Sequence, residues 1–181
     1  MLTLNVAALL KEPPGATRDV VVDEPSPPFG PDLRTTAPVR GTARLFRTQD
    51  GIVVRADLHT SVEVECSRCL DAVPVAVEAH FEEEYRPTIN ILTGAPLRPP
   101  EDEALRIDER HTLDLTETAR QYFLTALPLS IVCKVDCRGL CPRCGANLNE
   151  GPCSCDEEAP SNPFARLAEM LPSRESEPRA D

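Results

Sequence analysis

The chain has 181 residues and a net charge of −11, the size of one domain with tails or of two small modules, and that charge disfavours generic binding to phosphate backbones or anionic membranes. Five Phe, two Tyr and no Trp leave Val, Leu, Ile and Ala to build a core, and 19 prolines call for long irregular connections. No apolar run approaches the roughly 20 residues of a membrane span, and residues 1–10 lack the basic flank and cleavage site of a signal peptide. The expectation is a cytoplasmic protein with no membrane partner. Thiols there stay reduced, so clustered cysteines favour metal over disulfides.

Residues 1–12 carry Leu4, Val6, Leu9 and Leu10 and are expected to pack as a short helix or strand, stopped by Pro13-Pro14-Gly15. Val20-Val21-Val22 reads as a short strand, and residues 25–38, with five prolines, as a loop. From there the period is two. Val39, Gly41, Ala43 and Leu45 alternate with Arg40, Thr42 and Arg44, and Gln49-Asp50-Gly51 signals a hairpin turn. Ile52, Val54, Ala56 and Leu58 follow, and Val62, Val64 and Cys66 keep their phase. After a turn at Ser67-Arg68-Cys69-Leu70-Asp71, Val73, Val75, Val77, Ala79 and Phe81 alternate again. These segments predict an antiparallel β-meander of three or four strands with one buried face.

Residues 86–110, rich in proline and acid, read as a long exposed excursion, flexible or functional. A helix follows. Asp114 and Glu117 have capping-box spacing, Leu115, Ala119, Tyr122, Phe123, Ala126 and Leu127 form its apolar stripe, and Pro128 ends it. Beyond an acidic linker at Asp156-Glu157-Glu158, Asn162-Pro163 opens a second, short helix with Phe164, Leu167, Ala168 and Leu171 on one face; a polar, disordered tail closes the chain. The expected organisation is a strand-and-helix core over 1–130, a cysteine-rich region over 131–156, and a short helix with a tail over 157–181. The fold class is α+β, with one main helix and a zinc-stabilised C-terminal region.

The chemistry is concentrated in the cysteines. Six of the eight, Cys133, Cys137, Cys141, Cys144, Cys153 and Cys155, fall within 23 residues, and Cys66 and Cys69 form an outlying C-x2-C pair at a strand end. So many thiols without metal would be an oxidation liability. Structural zinc takes four ligands, so eight cysteines suit one site with spares or two full sites. Cys141 and Cys144, flanking a tight turn before Gly145, are the surest ligands. Their partners are open: Cys133 with Cys137, Cys153 with Cys155, or Cys66 with Cys69. Four thiolates leave no position for a substrate, so the site reads as structural; an iron–sulfur cluster is the lesser alternative.

Other chemistry is thin. His59, His80 and His111 are scattered, and no nucleophile motif or phosphate-cradling loop appears. Arg138 and Arg143 lie among the ligands, where they offset thiolate charge or touch RNA or an acidic partner. Arg40 and Arg44 share a strand face with Phe46, a basic stripe suited to RNA contact.

Several of these segments together resemble the YceD family of bacterial proteins, which has plant organellar relatives. The resemblance rests on the run from Asn5 to Gly15, the Cys66-Ser67-Arg68-Cys69-Leu70 turn and Ala126-Leu127-Pro128-Leu129. It continues through Cys137-Arg138-Gly139-Leu140-Cys141-Pro142-Arg143-Cys144-Gly145-Ala146-Asn147-Leu148-Asn149, Cys153-Ser154-Cys155 and Asn162-Pro163-Phe164-Ala165. It implies a role in the accumulation of large-subunit ribosomal RNA, through ribosome assembly or rRNA processing, and carries over no catalytic residues. The expected protein is a non-enzymatic accessory factor with one or two zinc ions. Its partner would be large-subunit rRNA, a ribosomal protein or an assembly factor, with no small-molecule substrate. The rival expectation is a thiol redox sensor or zinc-dependent holdase.

Overall fold

The computed structural model describes residues 2–155 apart from Ser26 and Pro28; the expected acidic linker, C-terminal helix and tail lie outside the described residues. In chain order the elements are β1 (Thr3–Asn5), α1 (Ala7–Leu10), β2 (Thr17–Glu24), β3 (Arg34–Thr35), β4 (Val39–Arg47), β5 (Ile52–Glu65) and β6 (Ala72–Pro87). A 3-10 turn (Glu103–Leu105), β7 (Arg106–Ile107), β8 (Thr112–Asp114) and α2 (Thr116–Ala126) follow. The strands form one sheet in the order β1-β8-β7-β6-β5-β4-β2, with β3 paired to β5. Edge strands β1 and β2 line a common cleft through Thr3, Leu4, Val22 and Asp23, so the sheet curls back towards itself.

The period-two reading survives as β4, β5 and β6, paired antiparallel from Arg47↔Ile52 to Arg40↔His59 and from Ile52↔Tyr85 to Glu65↔Ala72. The two apolar runs of residues 52–66 are one strand of 14 residues, since buried Thr60 keeps the phase between Leu58 and Val62. At roughly 3.3 Å per residue β5 is on the order of 45 Å long. One end meets the β4–β5 turn, and the other runs into Cys66.

The inner face of β6 carries Val77, Ala79, Phe81 and Tyr85, all buried, and α2 lies across it. Phe81 stacks on Tyr122 with centroids 5.0 Å apart, and Phe29 meets Phe123 edge-on at 5.8 Å. The Tyr85 hydroxyl donates to Thr118 Oγ1 at 2.7 Å, and Tyr122 donates to Glu83 at 2.8 Å. Buried Thr118 therefore joins the helix's inner stripe, while Ala126, expected there, is exposed.

The other departures from expectation are local. Residues 25–38 hold buried Phe29 and Leu33 and the short β3, because their apolar side chains close one end of the core. The Asp114–Glu117 capping box does not form. Asp114 accepts from the Thr116 N–H at 2.8 Å, but Glu117 turns forward to the Arg120 guanidinium at 2.6 Å, a charge-assisted partner that outcompetes a backbone N–H. Residues 86–110 are mostly exposed, as expected, but carry more regular structure than a plain excursion. β6 continues to Pro87, the chain doubles back through an Ile89↔Pro96 bridge, and β7 pairs parallel with the end of β6, burying Ile107. No helix among the described residues is long and apolar enough to cross a membrane.

Candidate metal centres

The hairpin of β5 and β6 presents Cys66 and Cys69 on its closing turn. The Cys66 N–H donates to Asp71 O at 2.8 Å, and the Leu70 N–H returns to Cys66 O at 3.0 Å. The turn at Cys141 repeats this pattern: Cys141 N–H to Ala146 O at 2.8 Å, and Gly145 N–H to Cys141 O at 2.9 Å. The residue after the second cysteine is left-handed in both, Leu70 at φ 63° and Gly145 at φ 72°. The two C-x2-C segments are thus one structural motif used twice, with Arg68 and Arg143 at matching positions.

Each turn collects two more thiols. Cys66 and Cys69 gather with Cys133 and Cys137, and Cys141 and Cys144 with Cys153 and Cys155; within each set the sulfurs all lie within 4.8 Å of one another. All eight sequence-identified cysteines are therefore placed in two tetrads, and Cys141 and Cys144 take Cys153 and Cys155 as partners. Sulfur separations are 3.9 Å for Cys66–Cys137, 3.5 Å for Cys69–Cys133 and 3.4 Å for Cys141–Cys153. Tetrahedral ligation at a Zn–S distance of about 2.3 Å sets sulfurs roughly 3.8 Å apart, whereas a disulfide needs about 2.05 Å. The geometry fits a four-thiolate ion in both places.

Electrostatics agree with that donor set. The Cys66 thiol is held down to about 6, first by the backbone N–H of Cys69, and Cys141 to about 6, first by that of Cys144. Cys155 is pushed up to about 12 by its hydrogen bond with Cys144 and by burial. Four thiols this close do not all ionise by themselves, and a divalent cation removes that penalty. The Cys133 N–H donates to Cys66 Sγ at 3.3 Å, and Asn149 Nδ2 donates to Cys137 Sγ at 3.3 Å, as orienting contacts around a metal centre do.

Asn147, Asn149 and Asp71 were not distinguished as site residues by spacing. Both asparagines lie between Cys144 and Cys153, yet they reach the other tetrad: Asn149 touches Cys137, and Asn147 Nδ2 donates to both Asp71 oxygens at 3.1 Å. Their identity as amides just after C-x2-C-Gly was the one available signal. Leu140 N–H bonds Arg68 O at 3.0 Å, and Arg68 Nη1 donates to Cys137 O at 2.9 Å. Gly139 makes this junction possible: its φ is 73°, and a β-carbon there would stand only 3.0 Å from Arg68 O.

The arginines fall in separate places. Arg138 and Arg143 are exposed beside the tetrads. Arg40 and Arg44 lie on the outer sheet face, about 20 Å of β5 or more from Cys66. Arg40 pairs with Asp23 at 3.1 Å, Arg44 with Asp19 at 2.5 Å and neighbouring Arg55 with Glu82 at 2.5 Å, so acids flank the stripe on both sides. His80 bonds Asp57 at 2.7 Å on that face, and no histidine joins the tetrads among the described residues.

The family model described as large ribosomal RNA subunit accumulation protein YceD matches residues 54–171, which include both tetrads. The chain belongs to the YceD family. Among curated proteins, uncharacterized proteins of Mycobacterium bovis and Mycobacterium tuberculosis are 30% identical over 71% of this chain and 59% of their own length. A chloroplastic protein of Arabidopsis thaliana, named large ribosomal RNA subunit accumulation protein YCED homolog 1, is 21% identical over 80% of this chain and 53% of its own. This YceD-family chain thus spans between half and three-fifths of the length of those relatives. No solved structure matches it.

Proposed function

We propose that this YceD-family protein is a non-enzymatic accessory factor for the accumulation of large-subunit ribosomal RNA in the cytoplasm, its C-terminal third held by two structural zinc ions. The observation that carries the functional reading is the family match over residues 54–171. The all-thiolate donor sets support zinc in a structural role, since a closed four-sulfur site has no open position for substrate. The partner is large-subunit rRNA, or a ribosomal protein or assembly factor bound to it. Affinity capture of the tagged protein is expected to enrich large- over small-subunit rRNA, and depletion to lower their ratio. Enrichment no greater than with an unrelated acidic protein overturns the reading. Elemental analysis of the protein purified under reducing conditions is expected to give two zinc per chain, falling to one in Cys69→Ser and in Cys144→Ser; iron instead would reject zinc.

A second reading, a redox sensor or zinc-dependent holdase, draws on one observation: Cys133 and Cys144 are exposed, so each tetrad offers an oxidant one sulfur. It requires zinc release and a change in mass on mild peroxide treatment, and unchanged zinc content removes it.

A further inference from the structure

At the end of the sheet opposite the tetrads, the β4–β5 turn and the loop of residues 88–98 enclose a cavity of about 350 Å³. Its lining departs from the rest of this acidic chain: three arginines, Arg47, Arg86 and Arg98, against one acid, Asp50. Arg47 is poorly compensated. It donates through Nη1 to the carbonyls of Thr48 and Gly51, its Nε–H is buried without a hydrogen bond, and it has no ion pair among the described residues. Arg98 is exposed and likewise has no acid partner among the described residues. Arg86 shares Glu84 at 2.8 Å and stays half exposed. The remaining wall is apolar, from Ile89, Ile91 and Leu97, with the amides of Gln49 and Asn90 at its margin. That wall is ordered: Asn90 Oδ1 accepts from the N–H groups of Leu92 and Thr93 at 2.9 and 3.1 Å, and Asn90 N–H bonds Ala95 O at 2.8 Å. An ordered loop of this kind, projecting beyond the fold's own needs, is where binding residues concentrate.

We propose that this cavity binds a single-stranded segment of RNA, with Arg86 and Arg98 gripping phosphates and the apolar wall receiving a base or ribose; this rests on the rRNA reading above. Guanidinium groups match phosphate geometry, and a chain of net charge −11 attracts nucleic acid only where that sign is locally reversed. Arginines beside apolar surface, with amides at the rim, suit phosphate, base face and base edge in turn. A cavity of this size admits a splayed nucleotide and not a duplex. An acidic peptide would also meet the arginines, but its carboxylate side chains bring no planar base to the apolar wall of Ile89, Ile91 and Leu97.

The test is binding of a labelled single-stranded RNA of about eight nucleotides to the full zinc-loaded chain at several salt concentrations. Two phosphate contacts give a log–log salt slope of about −1.4, and removing both leaves it near zero. Arg86→Ala with Arg98→Ala is expected to weaken binding about tenfold or more and flatten the slope, while Arg40→Ala with Arg44→Ala leaves both unchanged. Circular dichroism and zinc content of each variant report its fold. Equal RNA binding by the Arg86/Arg98 variant overturns the proposal, as does capture of an acidic peptide in place of RNA. If the variant still enriches large-subunit rRNA from cells as the parent does, the cavity assignment fails and the accessory-factor reading stands. If the parent enriches none, that reading fails as well.

Discussion

Leu70 and Gly145 hold equivalent places in the two cysteine turns, at φ 63° and 72°, yet only one is a glycine. A left-handed conformation costs an L-residue with a side chain roughly 1 kcal/mol, and Leu70 is 57% exposed, so little packing offsets the cost. Leu70→Gly is therefore expected to stabilise the first turn or leave it unchanged, and Gly145→Leu to destabilise the second by about 1 kcal/mol, both read from chemical denaturation of the protein purified under reducing conditions. At the same scale Glu117 is held down to about 2, chiefly by its hydrogen bonds with Arg120 and then Gln121. A carboxylate depressed on folding contributes stability that is complete above its ordinary value of 4.5 and is lost as pH falls towards 2. The first turn of α2 should fray across that window, and Glu117→Gln should remove this part of the acid transition seen by helical ellipticity. The residue identities announced the turns, but not the strain at Leu70, because φ at that position is imposed by closing the thiols on one point.

At the scale of elements, the strands were readable because one buried face enforces period two over long runs, and Thr60 shows how far phase outranks polarity. The helix stripe was readable except at Thr118, whose hydroxyl accepts from Tyr85, and at Ala126, exposed at the end of the helix. Asn149 belongs by sequence to the second cysteine loop but donates to Cys137 of the first tetrad. Asn149→Ala is expected to lower metal affinity of the first site by about 10–100-fold, with a smaller effect on the second, measured by competition with a chromogenic chelator. A similar loss at both sites would mean that the loop acts as one unit. This cross-contact had no signature in spacing, since it depends on where the second loop folds against the hairpin.

Across the whole molecule the apolar core and the cysteine region are unequal. Among the described residues, twenty-four buried ones form the main cluster, whereas Cys66, Cys69 and Cys137, with Val73 packed against them, are all that gathers around the first tetrad. So small an apolar cluster does not fold a segment without help, and structural zinc supplies about 10–16 kcal/mol of apparent free energy in small zinc-binding peptides. Chelation under reducing conditions is expected to release residues 131–155 to rapid hydrogen exchange while β5 and β6 stay protected; uniform loss of protection would show that the metal holds the sheet too. The long hairpin also separates two chemistries, thiolate tetrads at one end and the arginine-lined cavity at the other.

The sequence by itself determined the alternating strands, the main helix, the eight metal-ligating candidates and the kinship to the YceD family, because period, cysteine spacing and local motifs are written in neighbouring residues. Tertiary structure decided which cysteines stand together as a candidate ion site. Cys66 and Cys69 reach Cys133 and Cys137 only because β5 and β6 carry their turn to the place where the chain leaves α2. It decided equally that Arg40 and Arg44 meet acids while Arg98 meets none among the described residues, since cross-strand register and loop closure, not order along the chain, set which charges become neighbours.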